Sequence, residues 1–309
     1  MISNSLKASI IIPARQAAAT LIGTLESIAP LANSPDVEVI IVNDAAEAII
    51  AELAVGYPVT VVNGNGRGIG AARNIGVRSA RGRILLFTDA DCRVSSKWLD
   101  THINTHERFG DMLLVGGSIV LEPQAPFWAR CDHYCSWYHA HPNQPAAWVP
   151  NHPGANMSMT RSTFERVGPF REDLPSAGVH EDAEWQDRLQ QLGGRIRFEP
   201  KAAVWHVDRD DLKGFLKHNY RWGYNFLLVK ARAPNSRFPW LLRSPPILIA
   251  AFLPFAVAHT VYTVYCWLRA GKLEPLLLSP FLFLGRLAYA SGMAIGGLRA
   301  IRLGQFSKE

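Results

Sequence analysis

At 309 residues the chain exceeds one typical domain, so one large globular unit with a smaller companion is expected. Hydrophobic residues make up 48% and charged residues 19%, which excludes a disordered chain and suits a sizeable core or a membrane segment. The net charge of +6 is compatible with anionic lipid or a phosphorylated substrate, but no clustered Lys/Arg run marks a nucleic-acid surface.

The opening stretch MISNSLKASIIIPARQ has an apolar run too brief for a signal sequence and reads as a first buried strand. Four cysteines, Cys92, Cys131, Cys135 and Cys266, without a secretory leader point to a reducing compartment rather than a disulfide framework. Residues 8–12, 37–42, 59–62 and 84–88 are strand candidates rich in Val, Ile and Leu. Between them, 20–32, 45–54 and 69–80 carry helix-compatible spacing. The alternation predicts an α/β fold, a doubly wound sheet whose ligands bind at the carboxyl ends of the strands. Asp44, Asp89 and Asp91 follow strands and so stand there. Further on, 112–121 reads as a strand, 181–192 as a helix, and 195–198 and 202–207 as two short strands. The Pro-, His- and Trp-rich stretch 123–153 predicts loops and short helices.

After about residue 234 the composition changes. Residues 244–268 carry no charge, long enough for a bilayer core of about 30 Å at about 1.5 Å per residue. A second apolar stretch, 275–298, is broken only by Arg286, which costs roughly 2.5–3.5 kcal/mol near mid-span. Gly292 and Gly296 are spaced for close helix contact and support a hairpin with the first span. The alternative is a helix in the interface with Arg286 snorkelling. Arg232, Arg237 and Arg243 precede the first span, and Arg299, Arg302 and Lys308 follow the second, which places both ends in the cytoplasm. Residues 212–230 pattern equally as an interfacial helix or an ordinary domain helix.

Several residues carry chemistry. Asp89-Ala90-Asp91 closes a strongly apolar strand, where two carboxylates suit a hard divalent cation bridging a diphosphate. The run from Gly64 to Asn74 lets backbone N–H groups approach phosphate. It also mimics the nicotinamide loop of short-chain dehydrogenases, but it follows the third strand, and no Tyr has Lys four residues later. His180-Glu181-Asp182 opens a helix, where a carboxylate serves either the helix dipole or a cleft as general base. His206 ends a short strand.

Together these pieces resemble the large family 2 of glycosyltransferases, with the GT-A fold, from about residue 8 to 229. The matching stretches are SIIIPAR, VEVIIVND, GAARNIGVRSARGRILLFTDADC, GANMSMTRSTFERVGPFRE, HEDAEWQDRLQQLGGRIRFEP and AVWHV. The resemblance implies an inverting transfer from a nucleotide-sugar to a sugar or lipid-linked acceptor, assisted by Mn²⁺ or Mg²⁺. It implies a donor site of Pro13, Ala14, Arg15, Asp44, Arg67, Arg73 and Asp89, and a metal site of Asp89, Asp91 and His206. Asp182 would be the base, and Gly154, Ala155, Asn156 and Glu181 would meet the acceptor and donor sugar. The usual Asp-Asp-Gly-Ser turn is Asn43-Asp44-Ala45-Ala46 here, which keeps the acid and alters the turn. The implied organisation is a catalytic domain over 1–233, its donor part about 7–121 and its acceptor part about 122–233, followed by a membrane hairpin and basic tail over 234–309. Such an enzyme works at the cytoplasmic face of the inner membrane, in contact with membrane lipid.

Two other readings stay open at this level. Cys131, Cys135, His139 and His141, with His133 and His152 nearby, suggest zinc, but the spacing matches no common structural zinc pattern. A non-catalytic nucleotide-sugar-binding protein would need a lost base or lost metal ligands, and this chain keeps Asp89, Asp91, Asp182 and His206.

Overall fold

Runs of β-branched and leucine residues in the first third become four parallel strands: β1 (Ala8–Ala14), β2 (Val37–Asn43), β3 (Thr60–Asn63) and β4 (Ile84–Thr88). Helices α1 (Leu21–Ala32), α2 (Ala48–Leu53) and α3 (Ile69–Ser79) connect them, as parallel pairing requires. The computed structural model describes residues 6–174, 180–230, 247 and 250–302. The chain divides into two compact units, Met1–Val120 with Gln144–His206, and Leu121–Asn143 with Val207–Glu309.

The first unit continues with β5 (Cys92–Val94), α4 (Trp98–Phe109), β6 (Leu113–Leu121), β7 (Ala147–Val149), β8 (Asn156–Thr160), α6 (Arg161–Val167), α7 (Glu181–Gln191) and β9 (Arg195–His206). The sheet runs β3-β2-β1-β4-β8-β6-β9-β5, with β7 on β9. Strand β8 lies antiparallel to both β4 and β6, which turns the parallel half into a mixed sheet. Ile11, Val42, Leu85, Phe87, Met157, Met159 and Trp185 fill the core on one side. The two short strands expected over 195–207 are one continuous strand, β9, running through Pro200. Proline gives up a ladder donor there, and the Ser118 hydroxyl holds its carbonyl at 2.8 Å.

Helix α4 buries two histidines against β8. His102 Nδ1 and His106 Nε2 meet the Ser158 hydroxyl at 2.8 and 2.9 Å, and His102 Nε2 meets Asn156 Oδ1 at 3.1 Å. Burial pushes His102 down to about 4 and His106 to about 3, so both are neutral in the fold at pH 7.

The second unit is helical: α5 (Phe127–Ser136), α8 (Leu212–Lys230), α9 (Phe252–Arg269), α10 (Glu274–Leu277) and α11 (Ser279–Arg302). By length and composition α11 is the one described helix able to cross a membrane. Five residues of the first predicted span, 244–246 and 248–249, lie outside the described residues, as do Arg232, Arg237, Arg243 and Lys308.

Two expectations need correction. The glycine face of α11 packs on α8, not chiefly on the first apolar span. A Cβ on Gly292 or Gly296 would fall 2.0 or 2.1 Å from the carbonyl oxygens of Tyr220 or Tyr224, and one on Gly223 would fall 1.9 Å from that of Tyr289. Only bare backbone allows this approach. Arg286, secondly, does not snorkel. It is buried, donates to the Cys135 carbonyl at 2.5 Å and the Thr263 hydroxyl at 2.7 Å, and lies 5.3 Å from the Tyr138 ring.

Cys131 and Cys135 join the apolar core with Tyr134, Phe215, Trp267 and Leu282. Among the described residues they enter no metal-binding group. The tryptophans of this region pack likewise: Trp128 stacks on Phe215 with ring centroids 5.7 Å apart, and Trp137 donates to Asp208 at 2.9 Å.

Two outcomes follow from this packing. His102 and His106 bind protons more readily unfolded, near pH 6.5, than folded. Stability is therefore full above pH 6.5 and falls as pH drops, by on the order of 2 kcal/mol from each histidine at pH 5. Urea midpoints at pH 7.5 and pH 5 check this, and His106→Gln should flatten the dependence. In the helical unit, Gly292→Ala should cost about 1–3 kcal/mol, read as a lowered unfolding midpoint in detergent. An unchanged midpoint would mean that the helices re-space freely.

Candidate active site

The carboxyl ends of β1 and β2 are adjacent, and the Asp44 N–H donates to the Ala14 carbonyl at 2.9 Å. Pro13 and Ala14 thereby line the floor on which Asp44 rests. Asp44 is buried; its Oδ2 accepts from the Gly68 N–H at 3.3 Å and pairs with Arg15 at 3.6 Å. Its Oδ1 is buried without a hydrogen-bond partner, an acceptor that a ligand N–H or O–H would satisfy. The departure at Asn43–Ala46 has a local explanation. Asn43 closes the turn, donating to the Glu47 carbonyl at 2.8 Å and accepting its N–H at 2.9 Å. Ala46 takes the left-handed conformation, φ 52°, where glycine would be easier.

The glycine run sits between β3 and α3, with Gly66 and Gly68 at φ 70° and 101°. Gly64 lies so near Asp44 that a Cβ would come within 2.5 Å of its Cα. The two arginines of this segment diverge. Arg67 is exposed and pairs with Glu172 at 3.0 Å. Arg73 is buried and turned to carboxylates: it pairs with Glu181, donates to the Gly154 carbonyl at 3.1 Å and reaches Asp89 at 3.5 Å. Neighbouring Asn74 clamps the loop that carries Glu172, through the Phe170 backbone at 2.8 and 2.9 Å.

Asp182 stands in the first turn of α7, where the helix dipole favours a carboxylate. Its Oδ2 accepts from the Gly154 N–H at 2.6 Å and its Oδ1 from the Ala183 N–H at 2.8 Å. Gly154 thus joins Asp182 to Arg73, and a Cβ there would meet both within 2.9 Å. Ala155 is buried beside it. Asn156 spends its whole side chain on the scaffold, accepting from Trp98 at 2.7 Å and donating to the Ser118 and Ala202 carbonyls at 2.9 and 2.8 Å.

On the other side of Asp89, short β5 pairs antiparallel with the end of β9, Cys92 opposite His206. That register puts Asp91 Oδ2 3.7 Å from His206 Nε2. One donor atom each from Asp91, Cys92 and His206 lies within 4.8 Å of the others. The structure therefore gathers Asp91 and His206, adds Cys92, and leaves Asp89 facing Arg73. Sequence reasoning passed over Cys92, although it directly follows Asp91 in the motif. Burial and then Asp91 hold its thiol well above the usual range, and the Sγ donates to Asp91 Oδ1 at 3.8 Å.

Burial raises the Asp89 carboxyl, with Arg73 pulling it back. Burial likewise pushes Glu181 up to about 7 against the same guanidinium. Asp89, Glu181 and Asp182 share one guanidinium and Asp91 adjoins Asp89, an excess of negative charge that a divalent cation would offset. Carboxylate oxygens and an imidazole suit such an ion, so the donor set fits a hard or borderline metal.

The model of glycosyl transferase family 2 matches residues 9–168, slightly more than half of the chain. The fold is similar to that of the mannosyltransferase PcManGT from Pyrobaculum calidifontis, solved with GDP-Man and Mn²⁺: TM-score 0.57, 22% identity, 98% of this chain and 88% of that one. It is also similar to GalNAc-T7 solved with UDP, GalNAc and Mn²⁺: TM-score 0.57, 18% identity, 79% and 51% coverage. In sequence, the probable glycosyltransferase YdaM of Bacillus subtilis (strain 168) is 25% identical over 246 residues, 72% of this chain and 56% of that protein. Glycosyltransferase AglE of Haloferax volcanii is 28% identical over 154 residues, with 50% and 48% covered. The chain spans about half the length of these curated relatives. The sheet is of the GT-A type, and the chain belongs to glycosyl transferase family 2.

Proposed function

We propose that this chain transfers a sugar from a nucleotide-diphosphate donor to an acceptor hydroxyl, inverting the anomeric carbon. The reaction would take place at the cytoplasmic face of the inner membrane, in polysaccharide, glycolipid or envelope synthesis. The observation that carries this reading is the continuous link from Asp89 through Arg73 and Gly154 to Asp182. It holds a metal-side carboxylate and a base candidate in one rigid arrangement. The GDP-Man and Mn²⁺ bound by PcManGT, and the UDP, GalNAc and Mn²⁺ bound by GalNAc-T7, support it.

On this reading the nucleoside rests against Pro13, Ala14 and Arg15, and one of its N–H or O–H groups satisfies Asp44 Oδ1. Exposed Arg67 stands in the loop beside the diphosphate, while Arg73 positions carboxylates rather than binding the donor. Asp91 and His206, with Asp89 on the same turn, would hold Mn²⁺ or Mg²⁺, which offsets charge on the departing diphosphate. Asp182 receives the proton of the acceptor hydroxyl as it attacks the anomeric carbon. A single displacement of this kind inverts configuration without a covalent enzyme intermediate. Both Asp182 oxygens already accept backbone N–H bonds, which fixes the direction of the remaining lone pairs. Glu181, Ala155 and Asn156 support this wall from behind.

Nucleotide release from UDP-, GDP- and dTDP-sugars by the detergent-solubilised chain tests the proposal. Release from one donor should need Mn²⁺ or Mg²⁺, stop with chelator and be lost in Asp91→Ala. Asp182→Asn should lower turnover about 10²–10⁴-fold while donor binding by calorimetry persists; undiminished transfer would remove Asp182 as the base. Gly154→Ala, which crowds Arg73 and Asp182, should depress turnover to a similar degree and leave Mn²⁺ binding intact.

A further inference from the structure

The helix that satisfies the length and composition test for crossing a bilayer is also packed against other helices of its own unit, with 44% of its apolar window buried. Phe215 of α8 meets Gly285, Tyr220 meets Gly292 and Tyr224 meets Gly296, so α8 and α11 run side by side in the same direction. On the exposed face of that same stretch of α8 stand Lys213, Lys217 and Arg221, four residues apart. Were α11 to cross a bilayer, Lys217 and Arg221 would lie near its middle and Lys213 within its first quarter. Each of the central two would cost roughly 2.5–3.5 kcal/mol there, and α11 cannot descend without α8.

The exposed apolar surface lies elsewhere. Along α9, Val257, Val261 and Tyr265 project outward at helical spacing, Val261 64% exposed, while Ala256, Thr260 and Thr263 on the other side are buried. The turn that follows presents Leu273, Leu276 and Leu277, the last 78% exposed. Exposed Arg269 and Lys272 separate the two apolar stretches, so the surface suits the headgroup–hydrocarbon boundary, with both cations among the headgroups.

We propose that the helical unit is embedded in a single membrane leaflet through the outer face of α9 and the Leu273–Leu277 turn. Helix α11 packs against α8 and α9 within the unit, and Lys213, Lys217 and Arg221 stay at the level of anionic headgroups. The partner is a lipid bilayer, and the chain enters and leaves it on the same side. This arrangement rests on the membrane reading above but replaces a spanning hairpin with a one-sided insertion.

The connector between α9 and α11 decides the matter, because a spanning hairpin exposes it on the face opposite the catalytic unit. Sealed vesicles of both orientations, made from cells producing the full chain, would be treated with trypsin, which cuts at Arg269 and Lys272. They would also be treated with a membrane-impermeant maleimide in Lys272→Cys. The parent serves as blank, since its cysteines are buried or half-buried. The expected result is no cleavage, and labelling at the blank's level, from the opposite face. Modification from that face overturns the one-leaflet arrangement and leaves the membrane reading standing. Failure of the chain to sediment with phosphatidylglycerol–phosphatidylethanolamine vesicles would overturn both.

Discussion

A single buried guanidinium organises this molecule's candidate site. Burial works against the charge of Arg73, and Glu181, Asp89 and Asp182 restore it. The guanidinium is 2% exposed, so each partner must hold its position for the arginine to be tolerated at all. Helix α3, the end of β4, the loop before β8 and the start of α7 are thereby tied at one point. The last two of these segments are remote in sequence from the first two, and none would place its carboxylate or carbonyl correctly alone. Removal of one partner leaves a buried charge uncompensated, which costs far more than a surface pair of the same geometry.

What was legible in the sequence follows from how local the signal was. Strands β1, β2 and β4 announced themselves because parallel strands buried on both faces need unbroken apolar, β-branched runs. Strand β8 did not: NMSMT is wholly buried yet holds no β-branched aliphatic residue, because its polar groups serve Trp98, His102 and His106. Helix α4 was hidden for the complementary reason, since those two histidines occupy its core face and blur the apolar period. Pro200 suggested a break in β9 that the sheet does not make. In the candidate site, Asp89, Asp91, Asp182 and His206 are the positions that a local motif marks. The roles of Arg73, Gly154 and Cys92 depend on approaches between distant segments, which no local pattern encodes.

The helical unit shows the same limit. Small residues four apart say that another backbone comes close, but not which one; Gly292 and Gly296 receive α8. Arg286, in an apolar run, reads as an insertion cost. The fold converts it into an internal clamp on the end of α5 and on Thr263.

Strand β9 has a consequence of a different kind. Its twelve residues alternate faces, buried at Ile196, Phe198, Ala202, Val204 and His206, with half-buried Pro200 in the same phase. One end is pinned by β7, with Phe198 opposite Ala147, and the other by β5, with Cys92 opposite His206. Over a strand of about 40 Å the side-chain period is two, so parity is conserved from end to end. The imidazole at position 206 therefore faces Asp91 only while the number of residues back to Phe198 stays even. Substitutions along this strand can be absorbed one at a time by packing. Insertion or loss of a single residue anywhere within it would reverse the parity and turn the imidazole to the opposite face of the sheet, with every side chain chemically unchanged.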